Sequence, residues 1–168
     1  DISMHRIHPS PKRWITTTYA FLALALSIPV YAKVLHEERS VYTRIIVEDE
    51  RNLRCLKFTL VRKNSRQTCM DRNNPQRLVF DYAKMTLSAL LLKPDPERIL
   101  IIGLGGGTLP MALRDILPSA MIDTVEIDEA VVRVAKRFFD FAEDDQNRVY
   151  VQDARVFGKR AALRCEQY

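Results

Sequence analysis

Four glycines, at positions 103, 105, 106 and 107, stand between the apolar run Arg98-Ile-Leu-Ile-Ile102 and Thr108-Leu109. Glycine reaches positive φ without steric cost and carries no Cβ, so such a cluster closes a tight turn and brings backbone N–H groups up to a ligand. A side chain added at Gly105 is expected to intrude on that ligand. About twenty residues on, nucleotide-binding folds place an acid against ribose hydroxyls, and there the second apolar run, Ile122 to Ile127, carries Glu126 and leads to Asp128. Asp128 has an equally good alternative as N-cap of a helix starting at Glu129.

The dinucleotide fingerprint G-x-G-x-x-G is not completed, because residue 108 is Thr. Gly103-Leu-Gly-Gly-Gly107 reads G-x-G-x-G, which suits a ligand without a pyrophosphate. An S-adenosyl sulfonium therefore fits better than a nicotinamide dinucleotide. A strand-to-helix turn without a ligand is the alternative.

These residues need a scaffold of strands that end at the turn. Ile99 to Ile102 reads as a parallel strand buried on both faces, and apolar periodicity then gives helix 108–117, strand 122–127, helix 129–139, loop 140–147 and strand 148–152. Phe157 to Arg164 is expected to form a further helix. Alternating β and α elements with short links mean a parallel sheet with helical crossovers, an α/β Rossmann-like fold of class I methyltransferase type. A doubly wound sheet has more strands than these, so the chain reads as the first half of such a domain.

Upstream, a small antiparallel β unit precedes the sheet. Val41 to Val47 reads as a strand, residues 49–52 as a turn, and Arg54–Val61 with Arg66–Met70 as a hairpin around the polar turn 62–65. Residues 71–76 read as a loop and Leu78–Leu92 as a helix that stops before Lys93-Pro-Asp-Pro96. With the hairpin turn centred near residue 62, Cys55 and Cys69 face each other and can form a disulfide, leaving Cys165 unpaired.

The N-terminus reads as an address. His5, Arg6, Lys12 and Arg13 precede an uncharged stretch from Trp14 to Ala32 that ends in Pro29-Val-Tyr-Ala32. This is a signal peptide with cleavage after Ala32, or a membrane anchor, with a buried core helix as the alternative. Residues 33–40 follow as a linker. The resulting division is 1–32 leader, 33–76 linker and β unit, and 77–168 the first half of the nucleoside-binding domain. Export to the periplasm or membrane anchorage is expected, with the cytoplasm as runner-up, and any membrane contact runs through the N-terminal segment alone.

A net charge of +5 does not point to nucleic acid, because the 26 basic residues are interspersed with 21 acidic ones. No metal is expected: the chain has no C-x-x-C, and His5, His8 and His36 all lie in or beside the leader.

Together, Glu38-Arg-Ser-Val-Tyr-Thr-Arg-Ile-Ile-Val47, the helix before the glycine strand, Ile101-Ile-Gly-Leu-Gly-Gly-Gly-Thr-Leu109 and Val125-Glu-Ile-Asp128 resemble the spermidine synthase (polyamine aminopropyltransferase) family, over about residues 38–157. The resemblance extends to the wider superfamily of S-adenosylmethionine-dependent methyltransferases. It implies decarboxylated S-adenosylmethionine as donor substrate, a small-molecule amine as acceptor and transfer of an aminopropyl group. It matches Gly103, Gly105 and Gly107 to the turn glycines, Glu126 to the ribose-binding acid and Asp153 to the acid that meets the adenine amino group. A homodimer stays open.

The chain departs from that family where Gly106 replaces an Asp that holds the aminopropyl end, in a loop one residue shorter. Asp81 and Tyr82 stand where the family carries other polar residues, with Tyr82 expected in the core. The family's deprotonating Asp follows a fourth strand, beyond Tyr168, so 1–168 alone is expected to be inactive. A methyltransferase using intact S-adenosylmethionine and a non-catalytic nucleoside-binding or scaffold domain are the competing functions.

Overall fold

The computed structural model describes residues 32–60 and 63–168, which form one compact unit. The expected leader and the tip of the cysteine hairpin lie outside the described residues. Among those described, no helix is long and apolar enough to cross a membrane.

Five strands, β1 Lys33–Arg39, β2 Arg44–Glu50, β3 Leu53–Leu60, β4 Lys63–Asp71 and β5 Asn74–Leu78, form an antiparallel meander in sequential order. β1 occupies the expected linker: it pairs with β2, Glu37 meets Arg44, and Leu35 packs on the core. β5 replaces part of the expected loop, because Leu78 is buried opposite Met70 rather than starting a helix. The expected four-residue hairpin turn is shorter, since Leu60 already pairs with Lys63. What remains of the expected 78–92 helix is α1 Asp81–Thr86 followed by a 3-10 turn at Leu87–Leu91.

The second sheet is parallel, β6 Arg98–Ile102, β7 Met121–Glu126 and β8 Asn147–Val151, in the order β6-β7-β8. Helices α2 Thr108–Ile116 and α3 Glu129–Phe138 make the crossovers, and α4 Ala154–Leu163 follows β8, starting three residues before the expected Phe157. This is the expected α/β architecture behind an antiparallel β unit.

One core joins the two sheets. Ala130, Val131, Val134 and Ala135 recur at helical spacing and make an apolar stripe on α3. That stripe is buried with Ile45, Val47, Leu56 and Met70 of the antiparallel sheet, and with Leu104, Phe139 and Phe141. Arg54 of β3 also donates to the Phe138 carbonyl at 3.1 Å, at the C-terminal end of α3. The antiparallel sheet is thereby fixed beside the glycine turn.

A candidate nucleoside cleft at the strand ends

The turn after β6 uses positive φ at Gly103 (92°), Gly105 (57°) and Gly107 (76°). Its glycines differ in what surrounds them. A Cβ on Gly103 would meet nothing within 4 Å, so this glycine faces open space. One on Gly105 would lie 2.5 Å from Thr68 Oγ1, and one on Gly107 2.5 Å from the Phe141 ring. At Gly106 it would stand 3.0 Å from both Phe139 and Thr68 Cγ2. The expectation that a side chain at Gly105 would strike a ligand is thus corrected: it would strike β4. Gly106 and Gly107 are buried against protein and face no open space.

Glu126 ends β7 and is buried. Its Oε2 accepts the Leu104 N–H at 2.8 Å and its Oε1 the Asp128 N–H at 3.0 Å. One carboxylate therefore ties the glycine turn to the entrance of α3, and each oxygen retains capacity for a further donor. Asp128 itself is the N-cap of α3, Oδ1 accepting the Ala130 N–H at 3.0 Å. Of its two sequence alternatives the structure displays the cap, and Asp128 does not line the cleft described next.

Asp153 is likewise an N-cap, of α4, accepting the Arg155 N–H at 2.8 Å. The Arg155 guanidinium reaches its Oδ2 at 2.6 Å. That hydrogen bond, seconded by the backbone one, lowers the Asp153 carboxyl to about 2. Gly103, Glu126 and Asp153 converge, with Ile102, Gln152 and Arg155, on a cleft of about 380 Å³ at the carboxyl ends of the three parallel strands. Open α/β sheets bind ligands in this place.

A second lobe of about 300 Å³ adjoins it, sharing Ile102, Gly103 and Glu126. Its other walls come from Phe58, Gln67 and Thr68 of the antiparallel sheet, Tyr82 of α1, and Thr108 at the start of α2. Tyr82 is not in the core as expected. It is 59% exposed, and its hydroxyl donates to the Gln67 carbonyl at 3.2 Å. Asp81 is exposed and paired with Lys84, outside both lobes. Phe58, Gln67 and Thr68 were not singled out by sequence, since nothing in a hairpin pattern says which face will meet a turn thirty-odd residues away.

On β3 and β4, Cys55 and Cys69 are register partners with Cα atoms 4.1 Å apart and form a disulfide. Cys165 is free and exposed.

The glycine turn, the acid ending the second parallel strand and the cleft above them place the chain in the Rossmann-like class of α/β proteins. Residues 80–161, just under half of the chain, match the spermine/spermidine synthase domain. A polyamine aminopropyltransferase of Vibrio vulnificus is 45% identical over 137 residues, covering 80% of this chain and 46% of that protein. An eEF1A lysine and N-terminal methyltransferase of Xenopus laevis is 33% identical over 101 residues, 56% of this chain and 15% of that one. Among solved structures, a probable spermidine synthase from Corynebacterium glutamicum superposes with a TM-score of 0.59 at 20% identity, over 73% of this chain and 46% of that one, a likeness of fold. The chain thus spans less than half the length of each of these relatives.

Proposed function

We propose that residues 33–168 form the donor half of an aminopropyltransferase that binds decarboxylated S-adenosylmethionine and passes its aminopropyl group to a small amine. The observation that carries this is the convergence of Gly103, Glu126 and Asp153 on one cleft. Glu126 offers two anionic oxygens to a ribose diol, Gly103 leaves room for the nucleoside, and Asp153 at the far side offers an acceptor to an adenine amino group. The sulfonium substituents would then lie toward the second lobe, where an amine nitrogen attacks the methylene carbon beside sulfur. A C–N bond forms, the C–S bond breaks, its electron pair stays on sulfur as methylthioadenosine leaves, and the amine gives up a proton.

A methyltransferase reading has its own support. Gly106 stands in the place of an acid for the aminopropyl end, and Glu126 is the sole charged residue among the described residues lining the second lobe. Isothermal titration with decarboxylated and intact S-adenosylmethionine decides between them. The aminopropyl reading requires tighter binding of the decarboxylated donor. A clear preference for the intact donor replaces it with methyl transfer, and no binding of either leaves a scaffold domain.

We also propose export or membrane anchorage, supported by the basic and apolar leader and by a buried cysteine pair suited to an oxidising compartment. Cell fractionation with an antibody to the chain tests it, and recovery wholly in the cytosol would refute it.

A further inference from the structure

β4 carries one residue more than β3. Pairs run in step from Leu60 and Lys63 to Lys57 and Arg66, then Leu56 faces Thr68 and Cys55 faces Cys69, leaving Gln67 unpaired in a bulge. Side chains alternate between the faces of a strand, so one inserted residue moves everything beyond it to the opposite face. With the outer register unbroken, Thr68 would face Cys55. The bulge instead places Thr68 on the face of Leu56, which packs with Ile45, Val47 and Met70 against α3 and Leu104. It also sets Cys69 opposite Cys55, so the disulfide cross-links the two strands directly beyond the bulge.

Thr68 is buried at 5% exposure, and its Oγ1 accepts the Gly106 N–H at 3.0 Å. The same side chain fills the spaces where Gly105 and Gly106 would otherwise carry a Cβ. We propose that Thr68 is a positioning residue of the nucleoside site: the Gln67 bulge, pinned by Cys55–Cys69, turns its hydroxyl onto Gly106 and so holds Gly103 and Leu104 against Glu126. The inference rests on the nucleoside reading of the cleft. It gives the antiparallel sheet a part in donor binding, made through the backbone of the glycine turn.

Thr68→Val keeps the shape and removes the acceptor, whereas Thr68→Ser keeps the hydroxyl and removes the methyl. Two quantities are read for each: amide hydrogen exchange at Gly106 in the ligand-free chain, and calorimetric affinity for methylthioadenosine. In Thr68→Val, exchange should quicken about tenfold and affinity fall about tenfold, the scale of one buried donor left without a partner. Thr68→Ser should stay close to the unchanged chain in both. Unchanged exchange and affinity in Thr68→Val, or a Ser variant as impaired as the Val one, overturns the proposal. Should the Val variant fail to fold, Thr68→Ala replaces it, and a Ser variant no better than Ala again overturns the proposal. The exchange measurement needs no ligand, so an unchanged chain that binds no nucleoside refutes the nucleoside reading while Gly106 exchange still decides the role of Thr68.

Discussion

Replacing Glu126 by Gln removes one negative charge and turns one acceptor oxygen into an NH2 group. In the folded chain the two oxygens face two backbone donors, Leu104 N–H at 2.8 Å and Asp128 N–H at 3.0 Å. Whichever way the amide turns, its NH2 group meets an N–H. One charge-assisted hydrogen bond is lost, worth about 1.5–3 kcal/mol, and the other becomes a neutral one. Stability should therefore fall by about 2 kcal/mol in urea unfolding, with an unchanged m-value. A ligand with a free ribose diol loses in addition its charged acceptor, so methylthioadenosine should bind more weakly by about 1–3 kcal/mol, or roughly 5- to 150-fold. The 2′,3′-dideoxy form of the same nucleoside lacks the diol and should lose clearly less, because it feels only the loosened turn. Titration calorimetry on both ligands separates the contributions. Equal losses for the two ligands would refute a ribose contact, and wild-type stability would refute the tie between Glu126 and the glycine turn.

Three further outcomes follow from the same geometry. Gly105→Val should destabilise the fold by about 2–4 kcal/mol, since a branched side chain at φ 57° runs into Thr68; full stability with binding alone abolished would show that Gly105 faces the ligand instead. Non-reducing peptide mapping should find Cys55 bridged to Cys69 with Cys165 free, and the double variant Cys55→Ala/Cys69→Ala should lose about 3 kcal/mol by the chain-entropy model; a bridge to Cys165 would overturn the hairpin register. Carboxyl titration by NMR should place the Asp153 midpoint at about 2, moving up toward the ordinary 3.8 in Arg155→Ala. Because the folded-state value is the lowered one, the stabilisation from this carboxylate is complete above the ordinary value and is lost as the pH falls toward 2; a midpoint near 3.8 in the unchanged chain would remove the Arg155 contact.

The parallel half of the fold was legible because its signals are local. β6, β7 and α3 lie within one residue of their expected bounds, since β6 is an apolar run closed by glycine, β7 stops at Glu126 just before the Asp128 cap, and α3 is an apolar stripe between Asp128 and Phe139. The antiparallel half was legible only in part. β1 is charged along its length and is a strand because β2 offers it partners, a fact of tertiary pairing that no periodicity records. That Gly103, Glu126 and Asp153 line one cleft was legible from their spacing to the strand ends. What fills the space beside Gly105, Gly106 and Gly107 was not legible, because a missing Cβ looks the same in sequence whether it makes room for a ligand or for Thr68, Phe139 and Phe141. Facing cysteines were visible from the hairpin, but the bulge at Gln67 that sets their register was not.

The proposed function puts an adenosyl nucleoside between Gly103, Glu126 and Asp153. Backbone amide NMR spectra of the chain titrated with methylthioadenosine test it most directly, because each amide reports its own surroundings. Saturable shifts should centre on Gly103, Leu104, Glu126, Ile127, Asp153 and Ala154, with smaller ones at Thr68 and Gly106 transmitted through their hydrogen bond. Spectra that do not change, or shifts that centre away from the carboxyl ends of β6, β7 and β8, would contradict it.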